Sequence, residues 1–250
     1  MKRIIAAALS MVFALGAAQA AEPVSFPAGD GGSVYGDVTP APGAAKATIL
    51  LFHQAGSNRG EYTEIAPRLA ALGYNVLAID QRAGGSMWGH TNQTAAARGS
   101  AAGYLDALPD LEGTLTYATR TWPGAPVILW GSSYSASLVF LLAARHPDVV
   151  TAVLSFSPGE YLPGVSVRDQ AAKLRCPVFV TSASSADEVA AAQRLVDAVP
   201  GTGNVHFIAR HATHGASALR TDANPAGAAE IWTAVEAFLS RLPAATPSRG

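Results

Sequence analysis

The stretch from Pro126 to Arg145 limits what this chain can fold into more than any other. Val127-Ile128-Leu129-Trp130 is an apolar run of strand-forming residues, too short for a helix and preceded by Pro123-Gly124. With no loop between, the chain continues into Ser135-Ala136-Ser137-Leu138-Val139-Phe140-Leu141-Leu142-Ala143-Ala144-Arg145, which predicts a buried helix ending near His146-Pro147. A strand passing straight into a helix needs a very sharp turn, and Gly131-Ser132-Ser133-Tyr134-Ser135 supplies one. In such a turn the positions two before and two after the central residue approach each other, so both must be small. Gly131 meets that need fully; Ser135 meets it nearly. Ser133 is then held in a strained backbone conformation with its hydroxyl exposed and a helix N-terminus behind it, where partial positive charge favours an oxyanion.

The 250 residues are 49% apolar, enough to bury one sizeable α/β core. The formal net charge is −1 with no run of like charges, which gives no reason to expect nucleic acid or an anionic membrane surface as a partner. Cys176 is the single cysteine, so no intrachain disulfide can form. It opens the apolar run Cys176-Pro177-Val178-Phe179-Val180 and reads as a buried strand residue rather than a nucleophile. The first twenty residues read as a signal peptide. Lys2-Arg3 form a basic start, Ile4 to Leu15 an apolar stretch too short to span a bilayer, and Ala18-Gln19-Ala20 an A-x-A cleavage site. The expected mature chain is one domain over residues 21–250, periplasmic or secreted, with a loose tail over 243–250.

Along that chain strand and helix signals alternate. A leading hairpin (Val24 to Phe26, Ser33 to Val38) precedes apolar strands at Ala47 to Phe52 and Tyr74 to Ile79. Further strands follow at Val149 to Ser155, Pro177 to Thr181 and Val205 to Ile208. Helices are expected at Glu61 to Leu72, Asp106 to Arg120, Val167 to Leu174, Glu188 to Ala198 and Ala226 to Leu242. This alternation, without an internal repeat, predicts a doubly wound, mostly parallel sheet with helices on both faces. The segment from Ser155 to Cys176 is too short for a lid domain. The site should therefore be open, or roofed only by the glycine-rich loop from Gln81 to Gly103, which carries Trp88.

A serine hydroxyl needs a base to take its proton and a third group to hold that base. In open parallel sheets such groups lie in loops beyond the carboxyl ends of the strands. Three loops qualify: His53-Gln54-Ala55-Gly56, Ser182 to Glu188, and Ala209 to Gly215. His214 is favoured over His211 as the base because Gly215 allows close backbone approach. For the acid, Asp187 is favoured, with Glu188 and Glu160 competing. A short aspartate at the end of a small-residue loop has little side-chain entropy to lose, whereas Glu188 begins the next helix. The pair His211/His214 lacks a third clear ligand, so no metal is expected.

Together these residues resemble the α/β-hydrolase superfamily, and within it the small dienelactone-hydrolase-like group. The resemblance covers nearly all of the mature chain. It rests on Leu51-Phe52-His53-Gln54-Ala55-Gly56, on Ala78-Ile79-Asp80-Gln81-Arg82-Ala83-Gly84-Gly85-Ser86, on the turn at Ser133 and on His214-Gly215. The order Ser133, Asp187, His214 is the order that fold uses. The likeness implies Ser133 as nucleophile, His214 as base, Asp187 as acid, and the N–H groups of Tyr134 and Ala55 as an oxyanion hole. His53, Gln54 and Trp88 are the candidate substrate contacts, His53 reading as a loop-shaping hydrogen bonder rather than a base. The sequence departs from the family at Ser135, Gln54 and Ala183, where glycines are usual. The implied activity is cofactor-free hydrolysis of a modest carboxylic ester or lactone. An exopeptidase or amidase, or a non-catalytic binding protein on the same scaffold, is the alternative.

Overall fold

A computed structural model describes residues 20–244. The expected leader lies outside the described residues, save for Ala20, as does most of the expected tail. Eight strands form one sheet: β1 (Glu22–Pro27), β2 (Ser33–Thr39), β3 (Thr48–Phe52), β4 (Asn75–Asp80), β5 (Val127–Ser132), β6 (Val150–Phe156), β7 (Val178–Thr181) and β8 (Val205–Phe207). Their order across the sheet is β1-β2-β4-β3-β5-β6-β7-β8. The β1–β2 hairpin adds to β4 antiparallel, and every pairing from β4 onward is parallel. The doubly wound, mostly parallel sheet expected from the alternation is the one observed.

The helices are α1 (Ile65–Ala71), α2 (Gln93–Arg98), α3 (Leu108–Thr121), α4 (Tyr134–Arg145), α5 (Val167–Ala171), α6 (Ala186–Val196) and α7 (Ala228–Leu239). The parallel strands are apolar on both faces because both faces are covered. In β5, Val127 and Leu129 point toward α3–α6, while Ile128 and Trp130 point toward α1 and α7. None of the helices among the described residues is long and apolar enough to cross a membrane.

Two boundaries differ from expectation in ways that reach the site. Glu61 does not begin an α-helix but lies on a 3-10 turn (Arg59–Tyr62) capped by the Asn58 side chain, which accepts the Gly60 N–H at 2.8 Å. Helix α6 starts at Ala186, two residues before the expected Glu188, so Asp187 and Glu188 both fall in its first turn.

Register then brings the site together. Phe52 pairs with Gly131, Ser132 with Phe156, Phe156 with Thr181, and Thr181 with Phe207. The loops after β3, β5, β6, β7 and β8 therefore leave one edge of the sheet side by side.

Candidate active site

Ser133 occupies the turn between β5 and α4 with φ 57° and ψ −120°, a left-handed φ that a non-glycine residue holds only under tertiary constraint. Its N–H donates to Phe156 O at 2.8 Å, anchoring the turn on the next strand. The glycine at 131 is obligatory. A Cβ there would meet the Ser135 carbonyl oxygen and lie 2.6 Å from Ala136 Cα. Ser135, by contrast, is more than a tolerated small residue. Its hydroxyl donates to His53 O at 2.6 Å and accepts from Gln81 Nε2 at 2.7 Å, tying the helix start to the loops after β3 and β4.

His214 Nε2 lies 2.8 Å from Ser133 Oγ, and His214 Nδ1 lies 3.0 Å from Glu188 Oε1. Gly215, at φ +76°, lets this loop pass close under the turn, since a Cβ there would sit 2.5 Å from Ser132 Oγ. Burial alone would raise the Glu188 pKa. The hydrogen bonds of its carboxylate with His214, Ser157 and the Ala183 N–H outweigh that and hold it below the ordinary glutamate range. A carboxylate kept ionised beside Nδ1 fixes the proton there and leaves Nε2 free to accept from Ser133. The N–H groups of Ala55 and Tyr134 have no acceptor among the described residues, Tyr134 being the first residue of α4.

A family model described as "Serine aminopeptidase, S33" matches residues 43–164. That span includes the loop after β3 and Ser133 and ends before Glu188 and His214. The monoglyceride lipase homolog of monkeypox virus is 28% identical over 113 residues, 45% of this chain and 38% of that protein. Human monoglyceride lipase is 29% identical over 116 residues, 46% of this chain and 36% of that protein. The chain thus aligns with little more than a third of these curated relatives. Solved structures match nearly its whole length. Dienelactone hydrolase from Anabaena variabilis superimposes with TM-score 0.71 at 17% identity, covering 90% of this chain and 98% of that one. An esterase from Pyrococcus furiosus gives 0.66 at 18% identity, covering 89% and 90%. The chain has the α/β-hydrolase fold.

Within that hydrolase fold one expected residue is misplaced. Asp187 is exposed and makes no side-chain hydrogen bond among the described residues; the carboxylate on His214 is Glu188. The reason is the early start of α6. Consecutive helical residues point about 100° apart, so only one of the two can face the imidazole. Glu160 is also elsewhere, accepting the N–H groups of Val167 and Arg168 at the start of α5. His211 is exposed, leaving His214 alone at Ser133.

The expected substrate contacts divide. His53 is fully buried and cannot touch a substrate. Its Nε2 accepts the Gln81 N–H at 2.9 Å, so the ring hydrogen sits on Nδ1 and donates to Gln54 O at 2.8 Å. Burial pushes its pKa down to about 4, which keeps it a neutral brace. Gln54 is half-buried, its N–H donating to Glu61 Oε2 at 2.9 Å. Trp88, half-buried at φ 63°, donates from Nε1 to Ser57 Oγ at 3.0 Å and stacks 4.4 Å from the Arg220 guanidinium. It is held as part of the roof loop, which folds into a 3-10 turn and α2. Cys176 is half-buried, its thiol pushed up to about 11 by burial, which suits packing rather than chemistry.

Two participants were not legible as such. Ser157, after β6 and at φ 57°, accepts the N–H groups of Gly215 (3.0 Å) and Ala183 (3.2 Å), tying together the loops that carry His214 and Glu188. Its positive φ has no sequence signature. Glu61, buried beneath Ser132, is the other. Among the described residues no three His, Cys, Asp or Glu side chains converge as a metal site.

Proposed function

We propose that this chain is a serine hydrolase acting on a carboxylic ester or lactone of modest size, with Ser133, His214 and Glu188 as its triad. The observation that carries the reading is the chain of contacts from Glu188 through His214 to Ser133, at 3.0 and 2.8 Å, on a strained turn. Ser133 Oγ attacks the carbonyl carbon while His214 Nε2 takes the hydroxyl proton. The carbonyl electrons move onto oxygen, which the N–H groups of Ala55 and Tyr134 receive. When the tetrahedral centre collapses, the alcohol leaves with the proton from His214. Water then repeats the sequence at the acyl-enzyme and releases the acid. No step requires a cofactor.

The test is Ser133→Ala. It should abolish labelling by a fluorophosphonate and lower turnover of p-nitrophenyl butyrate by about 10⁴-fold or more. Retained labelling would refute the assignment. The likeness to a serine aminopeptidase model favours one second reading, amide cleavage, which passes through the same oxyanion. Turnover of an aminoacyl p-nitroanilide at a rate matching the ester would decide for it. We also infer export with cleavage after Ala20, supported by the A-x-A pattern. Intact-mass measurement of protein recovered outside the cytoplasm should give a chain beginning at Ala21.

A further inference from the structure

Beneath the turn lies a carboxyl group with no part in the chemistry above. Glu61 is completely buried on the 3-10 turn after β3, and its carboxyl group joins two loops, Oε1 also lying 3.5 Å from Gln54 Nε2. Oε2 accepts the N–H of Gln54 at 2.9 Å, the residue immediately before Ala55. Oε1 accepts the hydroxyl of Ser132 at 2.7 Å, the residue immediately before Ser133. Ser132 Oγ in turn accepts the N–H of Ala216 at 2.8 Å, two residues beyond His214. One buried group therefore spans the loop offering one oxyanion donor and the turn offering nucleophile and second donor. Through Ser132 it also reaches the loop of the base.

We propose that Glu61 is a positioning residue of this site, its carboxyl group bracing the Ala55 loop against the Ser133 turn so that the two oxyanion donors converge. The inference rests on the serine-hydrolase reading above. Oxyanion donors act only when aimed at the developing charge to within a few tenths of an ångström, and loops hold such precision only when braced. A carboxyl group is an expensive brace. Arg220 is the cation facing it, and its hydrogen bonds go to the Gly60 and Glu61 carbonyls, Thr63, Glu64 and Asp222 rather than to the Glu61 side chain. The other titratable neighbours are the phenols of Tyr62 and Tyr134. Once ionised, which burial delays to about pH 7, the Glu61 carboxylate presents two acceptor oxygens, matching one N–H and one O–H from separate loops. An amide offers a single acceptor and can meet Ser132 Oγ only by reversing that hydrogen bond, which takes the acceptor away from the hydroxyl and weakens the strut.

The experiment compares Glu61→Gln, Glu61→Ala and Ser132→Ala, using p-nitrophenyl butyrate for steady-state kinetics and a fluorophosphonate for labelling rate. Glu61→Ala should lower kcat by about 10²–10³-fold, the loss typical of a misplaced oxyanion donor, with KM within about threefold. Glu61→Gln, which keeps one strut, should lose about 10–30-fold and decides the matter if the alanine variant does not fold. Ser132→Ala should slow labelling without abolishing it. Adding it to Glu61→Gln should cost less than twofold more, because both changes cut the same strut. The proposal is overturned if Glu61→Gln, folded as wild type by circular dichroism, keeps kcat within twofold. It also falls if the loss is confined to KM, or if the two changes add fully. Should Ser133→Ala retain labelling, the underlying reading falls and this inference with it; loss of labelling there with a fully active Glu61→Gln removes this inference alone.

Discussion

At the scale of single residues, Asp187 and Glu188 differ by one position on α6 and by everything in environment: one is in solvent, the other 3.0 Å from an imidazole. Replacing Glu188 by Gln keeps the shape of the acceptor but removes the charge that stabilises the imidazolium and fixes its tautomer. That substitution should lower kcat/KM for p-nitrophenyl butyrate by about 10³–10⁴-fold, as the corresponding loss does in other triads. Asp187→Asn should stay within about threefold, since nothing in the site touches it. Parallel assays of the two variants, with circular dichroism to confirm folding, check both. Residue type alone does not separate the pair, because a carboxylate in the first turn of a helix has an ordinary electrostatic reason to be there.

At the scale of elements, the turn from β5 to α4 is held by small residues for two different reasons. Gly131 is small because backbone lies where a Cβ would go. Ser135 is small and also bonded, to His53 O and Gln81 Nε2. Ser135→Gly should therefore destabilise the fold by about 1–3 kcal/mol, because it leaves the buried His53 carbonyl without this donor. Gly131→Ala should cost about 3 kcal/mol or more by overpacking against the backbone. Urea midpoints measure both, and a Ser135→Gly protein as stable as wild type would mean that these hydroxyl bonds contribute nothing. The need for small residues at this turn is readable from spacing. The hydroxyl's partners are not, since His53 stands 82 residues away in the chain.

At the scale of the whole molecule, two buried titratable groups give stability a pH dependence of opposite signs. Burial holds the His53 pKa near 4, below its unfolded value of about 6.5. Its contribution is present above pH 6.5 and is lost as pH falls through about 4. Burial raises Glu61 to about 7 from 4.5, so its contribution is present below pH 4.5 and is lost as pH rises through about 7. Glu61→Gln removes the second dependence. Its melting temperature relative to wild type should climb between pH 4.5 and 7 and level off above, by an amount of order 3 kcal/mol in free energy. A flat difference across that range would show that Glu61 titrates normally. The sequence by itself determined the alternation of elements, the parallel sheet, the turn at Ser133 and the placing of His214 after the last strand. All of these are written in local periodicity, in apolar runs and in the spacing of small residues. Tertiary structure alone decided that Glu188 rather than Asp187 meets His214, that Ser157 ties the loops carrying Ala183 and Gly215, that His53 is a buried brace, and that Glu61 joins Ser132 across 71 residues. Each of those is a polar contact between distant loops. It depends on strand register and on where one helix begins to within a residue or two, and a hydrophobic pattern does not specify helix starts that finely.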